Sequence, residues 1–422
     1  MSLRTLAAAC GAALLTQIAV SPAALAASAP GQWVTAWATA LQPIPQQPNL
    51  PPLYRAPSVA GRTVRQIVYP TLSGSSVRLH ISNEYGVTPL VVQELRIARS
   101  TGGAAVQGSG GVRATFDGKT AVTVPPGGAV DSDAVGIDLV AGAPYAISSY
   151  MGAEQTLVAW HRVSNQVNYV SLPGNHSADA LSGAFSQRFT QFAWVTGLAV
   201  DVPAAGSVAA IGDSITDGMR SSLNENRRWP DAFARRLAQA GDHSTAVVNL
   251  GISGNRLLND SPCYGDALAR RFGRDVLGHA GVKTAILLIG INDINFSSMP
   301  ARSGLDCDFP HTSVTAADLI AGYQRVIAEA HRRGVRVFGA TLTPADLPPQ
   351  RESIRLAVNQ WIRTGKAFDG VVDFDAALRD PAQPDRLRRG FDSGDHIHPS
   401  DAGYTAMADA IPLDAVVNST RK

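Results

Sequence analysis

The amino-acid sequence predicts an all-β region followed by an α/β region built on an open, five-stranded parallel sheet with helices on both faces. Two observations predict this order: short stretches of alternating apolar and polar residues recur in residues 32–202, whereas apolar strands alternate with helical stretches after residue 206. A chain of 422 residues also favours two domains over one or four. We therefore expect a β domain at residues 27–203 and an α/β domain at residues 204–422.

The β region has the two-residue period of strands with one buried face. Val77, Leu79 and Ile81 are apolar, and the residues between them are polar. Glycine and proline clusters separate such stretches, at residues 102–103, 108–111 and 125–128. Short strands with frequent turns are typical of a β-sandwich or a jelly roll.

The α/β region contains five predicted strands, at residues 207–211, 245–249, 284–289, 335–340 and 371–374. Helices are predicted at residues 229–240, 266–277, 315–334 and 351–363, with a last one from about residue 400. Ligands of open parallel sheets bind at the carboxyl ends of the strands. The residues that follow each strand are therefore the candidates for a functional site.

The first 26 residues have the pattern of a secretory signal peptide. Arg4 precedes a mostly apolar stretch at residues 6–20, and small residues indicate cleavage after Ala26. A membrane anchor is the alternative, although the stretch is short and contains polar residues. We expect an exported protein, periplasmic or secreted, without stable membrane insertion after signal removal. A formal net charge of +2 indicates no general attraction to nucleic acid.

The chain has three cysteines, of which Cys10 leaves with the predicted signal peptide. Cys263 and Cys307 then form the only pair available in the mature chain. Export to an oxidising compartment favours a disulfide between them. Two unpaired buried thiols are the alternative.

A serine follows the first strand of the α/β region, within residues 212–218. Ser214 lies on a tight strand-to-helix turn that Gly212 permits, and such a turn can expose its hydroxyl group as a nucleophile. The nucleophile elbow of α/β-hydrolases would need glycine where this chain has Thr216, so the site is of another kind. A serine that only caps a helix is the alternative.

Two polar turns follow the next two strands, at residues 249–255 and 290–293. In the first, Gly254 lets backbone N–H groups approach a ligand. In the second, Asn292 can offer its side-chain amide, and Asp293 is expected to anchor the loop. Ordinary strand-to-helix turns are the alternative for both.

A histidine and an aspartate follow the last strand of the sheet. Asp395 can hold one imidazole nitrogen of His398, which leaves the other to take a proton from Ser214. A metal site that uses His396 with these two residues competes with this interpretation, as does a surface turn without a role.

Together these segments resemble the SGNH hydrolases, also called GDSL-like lipases or acylhydrolases. The matching segments are Gly-Asp-Ser-Ile at 212–215, Gly254, Gly290-x-Asn292-Asp293 and Asp395-x-x-His398. The resemblance extends over about residues 207–413 and implies a three-layer α/β/α sandwich and ester hydrolysis without a metal or other cofactor. It also implies an oxyanion hole formed by Ser214, Gly254 and Asn292. In typical members the serine block lies near the mature N-terminus, whereas here a β region precedes it; its start at residues 33–37 resembles larger bacterial secreted members.

The sequence thus predicts an exported serine esterase with Ser214, Asp395 and His398 as catalytic residues. Short acyl esters or acetylated carbohydrates are the expected substrates. An acyltransferase that uses the same site, and a glycan-binding protein with an inactive catalytic domain, remain alternatives.

Trp160 and His161 are expected to be a satisfied pair within the β region, with part of a substrate face as the alternative. Asp213 and Asp217 are expected to cap a helix, with orientation of the serine turn as the alternative.

Overall fold

The computed structural model describes residues 32–420 of the chain. The predicted signal peptide at residues 1–26, which includes Cys10, therefore lies outside the described residues. In the described part, no helix has both the length and the apolar character needed to cross a membrane. The described residues belong to one compact unit that contains two large hydrophobic cores.

The β region contains short strands and two single-turn 3-10 helices, at Pro52–Tyr54 and Ser182–Ala184. Its strands are β1 (Trp33–Ala38), β2 (Gln42–Pro43), β3 (Arg62–Val68), β4 (Gly74–Ser82), β5 (Leu90–Val92), β6 (Glu94–Gly102), β7 (Ala105–Val106), β8 (Val112–Arg113), β9 (Val122–Val124), β10 (Ala129–Asp131), β11 (Val135–Leu139), β12 (Tyr145–Tyr150), β13 (Ala159–Trp160), β14 (Asn168–Pro173), β15 (Gln187–Phe189) and β16 (Val195–Asp201).

Twelve of these strands form a sandwich of two antiparallel sheets, and the other four form the pairs β2-β13 and β5-β9. One sheet has the order β1-β16-β4-β10, with β11 also paired to β4, and the other has the order β15-β14-β3-β12-β6-β7, with β8 paired to β6. Both sheets contribute side chains to the same core, such as Leu79 and Val200 from the first and Leu95 and Ile147 from the second. The predicted all-β sandwich is confirmed, and in β4 the apolar positions of the alternating pattern are the buried ones.

The α/β region contains the remaining elements in alternating order. They are β17 (Gly206–Gly212), α1 (Ser214–Asp217), α2 (Trp229–Gln239), β18 (Thr245–Gly251), α3 (Leu268–Asp275), β19 (Val282–Leu288), α4 (Ile291–Phe296), α5 (Ala316–Arg332), β20 (Arg336–Ala340), α6 (Pro349–Thr364), β21 (Gly370–Val372), α7 (Phe374–Leu378), α8 (Asp401–Asp409) and α9 (Leu413–Thr420).

The five strands of this region form a parallel sheet with the order β18-β17-β19-β20-β21. One group of contacting helices contains α2, α7 and α8, and another contains α3, α5 and α6, as expected for the two faces of the sheet. The predicted three-layer α/β/α sandwich with five parallel strands is confirmed. Strand β18 is added on one side of β17, and β19, β20 and β21 follow on the other side. The strand order therefore reverses at β17, and ligands of open parallel sheets bind at such a switch point.

One predicted strand differs from the structure at its end. The sequence predicts a strand at residues 371–374, but the strand ends at Val372 and Phe374 begins α7. The reason is local: the Asp373 side chain accepts a hydrogen bond from the N–H of Ala376 and so caps a helix at this point.

The β-sandwich packs against the β18 edge of the parallel sheet. Strand β1 contacts β18, and the N–H of Thr35 donates to the carbonyl oxygen of Ala280 over 2.9 Å. The hydroxyl group of Thr71 lies 2.9 Å from both the carbonyl oxygen and the N–H of Val247. The sandwich is therefore held next to the strands whose ends carry the candidate site.

Candidate active site

The turn after β17 places Ser214 as the first residue of the short helix α1. Asp213 caps this helix, because its side chain accepts a hydrogen bond from the N–H of Ile215 over 3.0 Å. Gly212 is required where it stands, since a Cβ atom there would overlap with the carbonyl oxygen of Leu288 in the adjacent strand. The chain therefore turns sharply at the sheet edge with the serine at the turn.

Ser214, His398 and Asp395 form a continuous series of hydrogen bonds. The hydroxyl oxygen of Ser214 lies 2.8 Å from Nε2 of His398, and Nδ1 of His398 lies 2.8 Å from Oδ2 of Asp395. Ser214 is only 6% exposed. A hydroxyl, an imidazole and a carboxylate in this order can pass a proton from the hydroxyl to the ring while the carboxylate orients the ring.

The loop around His398 keeps the Asp395 carboxylate ionised. Burial alone would raise the pKa of Asp395, but hydrogen bonds from the backbone and the ring of His398, together with one from the N–H of Ile397, hold its pKa well below the usual range. Arg220 also donates to Oδ2 of Asp395 over 3.1 Å, but this arginine is largely exposed and adds little. Asp395 thus remains an acceptor at neutral pH.

Gly254 and Asn292 follow the two strands that flank β17. Gly254 has a φ of +86°, and a Cβ atom there would overlap with the ring of Tyr264, so both conformation and space require glycine. Asn292 lies in α4, where its Nδ2 donates to the carbonyl oxygen of Asn255 over 3.0 Å. An amide has two N–H groups, so this bond leaves one of them for a ligand.

The two neighbouring acidic residues anchor the site rather than face a substrate. Asp293 accepts hydrogen bonds from the N–H groups of Leu257 and Leu258, over 2.8 and 3.0 Å, and so holds the loop after Gly254. Burial raises the pKa of Asp293 to about 6 and that of Asp213 to about 7. Burial therefore disfavours the charged forms of both carboxyl groups, Asp213 and Asp293.

His396 does not share a centre with His398. Its Nδ1 lies 2.7 Å from Oδ2 of Asp392, and its side chain is 65% exposed, whereas His398 pairs with Asp395. Within residues 32–420, no group of three or more His, Cys, Asp or Glu side chains is arranged to hold a metal ion. The geometry thus gives the two histidines different partners.

A buried network that the sequence did not predict joins the β-sandwich to the serine turn. His161 extends from the sandwich, and its Nε2 lies 2.9 Å from Oδ1 of Asp217, the last residue of α1. Oδ2 of Asp217 accepts hydrogen bonds from the N–H and the hydroxyl group of Ser253 over 2.9 and 2.6 Å. His161 therefore belongs to a network across both regions, rather than to a pair within the sandwich. No local sequence pattern predicts a contact between His161 and Asp217, which are 56 residues apart.

The loop between α4 and α5 is tied to the site by covalent and polar contacts. Cys263 and Cys307 are joined by a disulfide, with Cα atoms 5.0 Å apart. The buried Arg256 donates to the carbonyl oxygens of Asp260, Phe309 and Pro310 over 2.6 to 2.7 Å. Both contacts hold this loop beside the turn that contains Gly254.

Comparison with known families identifies the class of the α/β region. The family model described as the GDSL-like lipase/acylhydrolase family matches residues 210–406, which include the serine turn and the histidine loop. This segment is a GDSL-like lipase/acylhydrolase domain. A comparison of the sequence with curated proteins found no match.

Solved structures that resemble the chain include a GDSL-like lipase and an acetylxylan esterase. A GDSL-like lipase from Bacteroides thetaiotaomicron has 17% identity, with 51% of this chain and 91% of that chain covered and a TM-score of 0.36. The acetylxylan esterase Axe2 from Geobacillus stearothermophilus, in a catalytic mutant form, has 20% identity, with 52% and 95% covered and a TM-score of 0.37.

Proposed function

We propose that this protein is an exported esterase that hydrolyses carboxylic esters through an acyl-enzyme on Ser214. The observation that carries the proposal is the series of hydrogen bonds from Ser214 through His398 to Asp395 at the carboxyl end of β17. In this mechanism, His398 accepts the proton of Ser214 as its oxygen attacks the ester carbonyl carbon, and Asp395 stabilises the imidazolium that forms.

The negative charge that develops on the carbonyl oxygen needs donors at the same place. We assign this role to the N–H groups of Ser214 and Gly254 and to the side-chain amide of Asn292. The N–H of Ser214 has no partner inside its own helix because it is at the first position. His398 then protonates the leaving alcohol, and a water molecule repeats the sequence to release the acid.

The proposal extends to substrate class, compartment and domain organisation. Esters with short acyl groups, including acetyl groups on carbohydrate, are the proposed substrates. The Cys263–Cys307 disulfide supports an oxidising compartment outside the cytoplasm, in agreement with the predicted signal peptide. We assign residues 27–203 the role of an accessory β domain to the hydrolase domain at residues 204–422.

A chain-length series tests the activity. The purified protein is expected to release nitrophenol from 4-nitrophenyl acetate and butyrate faster than from the octanoate, and acetate from acetylated polysaccharide. Heat-denatured protein supplies the background rate. The absence of any release above background from all of these esters, together with no labelling by a fluorophosphonate, would contradict the proposed function.

Replacement of Asn292 with alanine tests the oxyanion role. We expect kcat for 4-nitrophenyl acetate to fall roughly 10²- to 10³-fold, with a smaller change in KM, because the lost donor acts mainly in the transition state. Asn295→Ala is the matched control, since this residue lies on the same helix and its side chain accepts from Arg351. An unchanged kcat in Asn292→Ala would remove this amide from the oxyanion hole.

A further inference from the structure

Arg162 is a buried arginine without a hydrogen-bond acceptor. It is 8% exposed, and its Nε atom is buried without a partner. Within residues 32–420, no carboxylate forms an ion pair with it, and no acceptor is within hydrogen-bond distance of its terminal nitrogens. Those terminal nitrogens are not among the buried unpartnered atoms, so they form the part of the guanidinium that reaches solvent. Arg162 thus presents an unpaired cationic edge from an otherwise buried position.

The other buried arginines of the described region have hydrogen-bond acceptors or carboxylate partners, which Arg162 lacks. Arg65 and Arg256 each donate to several carbonyl oxygens, Arg271 pairs with Asp275, and Arg355 pairs with Glu352 and Asp375. Burial of a charge is costly unless the charge is paired and hydrogen-bonded. Arg162 departs from this pattern, which indicates that its partner is a molecule outside the chain.

Arg162 lies next to the proposed oxyanion hole. Its guanidinium carbon is 5.3 Å from the ring centre of Tyr54 and 5.8 Å from that of Tyr264. The Tyr264 ring in turn packs directly against Gly254. The residues around Arg162 are also anchored to the serine turn, because His161 binds Asp217. The ring of Tyr264 therefore lies between Arg162 and Gly254 of the proposed oxyanion hole.

We propose that Arg162 binds a carboxylate group of the substrate, so that the esterase prefers esters that carry a negative charge. The guanidinium and the carboxylate are planar groups that form two parallel charge-assisted hydrogen bonds, which suits a cation that has open terminal nitrogens. The two tyrosine rings stabilise the cation by cation–π contact but accept none of its N–H groups in the plane of the guanidinium. The proposal rests on the proposed esterase activity and names a substrate class for it.

The carboxylate can belong to either half of the ester, and matched substrates distinguish the two sources. An acyl-side carboxylate is tested with 4-nitrophenyl hydrogen succinate against the neutral, similarly sized 4-nitrophenyl levulinate. An alcohol-side carboxylate is tested with acetylated methyl glucuronoside against acetylated methyl glucoside. In at least one pair, the wild type is expected to favour the anionic member by about tenfold or more in kcat/KM.

The variant Arg162→Gln is expected to lower kcat/KM for the anionic member about 10- to 100-fold more than kcat/KM for its neutral counterpart. Arg162→Lys is expected to keep part of the preference, because it retains the charge but not the paired geometry. Arg188→Gln is the control, since this arginine is exposed on β15 of the same sandwich. Thermal unfolding of each variant identifies a loss that is due to folding alone.

A binding measurement separates this proposal from the esterase proposal. The Ser214→Ala variant, with and without Arg162→Gln, is titrated with the same four esters and binding is followed by NMR. Tighter binding of an anionic ester that disappears with Arg162→Gln supports the proposal even if the wild type hydrolyses nothing. Equal binding of charged and neutral esters in both pairs, or a preference that persists without Arg162, would overturn it.

Discussion

Replacing Ser214 with alanine is expected to abolish ester hydrolysis and fluorophosphonate labelling. The Ser214 hydroxyl lies 2.8 Å from Nε2 of His398, and we propose it as the nucleophile that forms the acyl-enzyme. Loss of a nucleophile from a comparable triad lowers kcat on the order of 10⁶-fold, and the residual rate comes from binding and the oxyanion hole. The measurement is release of nitrophenol from 4-nitrophenyl acetate, with labelling read by intact mass.

Two matched pairs of variants test whether the loss of activity is specific to the proposed catalytic residues. Ser298→Ala removes an exposed hydroxyl group that binds only the carbonyl oxygen of Asn295, and it is expected to keep both activity and labelling. His398→Ala is expected to inactivate the enzyme, whereas His396→Ala retains activity because His396 pairs with Asp392. Full activity of Ser214→Ala would refute the mechanism, and inactivation by His396→Ala or by EDTA would return the metal interpretation to consideration.

The strands and site residues that could be predicted from the sequence are those that have a recognisable local pattern of residues. A strand that is buried on both faces is a run of apolar residues, and all five strands of the parallel sheet were placed from such runs. The site residues follow strands or lie in short motifs; they are Ser214, Gly254, Asn292 and His398. Because the carboxyl ends of parallel strands meet at one edge of the sheet, the sequence already implied that these residues lie near one another. The structure brings Ser214 and His398 together across 184 residues of sequence.

The parts that could not be predicted depend on how the two regions dock. Nothing near His161 in sequence indicates that its ring contacts Asp217, because that contact depends on the position of β1 against β18. Arg162 likewise looks like an ordinary strand-end arginine until the structure shows that it is buried without an acceptor. Helix α7 was missed for a different reason, since its five residues are too few for a helical period to appear.

Replacing His161 with phenylalanine is expected to lower both the stability and the activity of the protein. Nδ1 of His161 lies 2.9 Å from the carbonyl oxygen of Ala40, and Nε2 faces both Asp217 and the carbonyl oxygen of Val163. All of these partners are hydrogen-bond acceptors, so phenylalanine at this position would leave each of them without its donor. His161 and Asp217 form a hydrogen-bonded pair whose side chains are 4% and 2% exposed.

The expected loss of stability is large because the substitution leaves buried acceptors, among them the Asp217 carboxyl group, without their donor. Each buried polar group left unsatisfied typically costs about 1–3 kcal/mol in the free energy of unfolding. Urea unfolding measures this cost in His161→Phe. His176→Phe is the control: His176 pairs with Asp179 in the same sandwich, but their side chains are 25% and 45% exposed, so a change of at most about 1 kcal/mol is expected.

A double-mutant cycle separates the pairing of the two side chains from simple loss of packing. Asp217→Asn combined with His161→Phe removes both members of the pair, so the double variant is expected to lose about 0.5–3 kcal/mol less than the sum of the single variants. Additive losses would show that the two residues do not act as a pair.

The activity of His161→Phe then tests whether the sandwich supports catalysis. The carboxylate that binds His161 also binds the N–H and the hydroxyl group of Ser253, the residue before Gly254. Without the imidazole of His161, this carboxylate is expected to shift toward solvent and to loosen the turn that presents the N–H of Gly254. At a temperature where the variant is fully folded, kcat for 4-nitrophenyl acetate should fall while KM changes little. An unchanged kcat in the folded variant would mean that the sandwich stabilises the hydrolase domain without positioning its oxyanion hole.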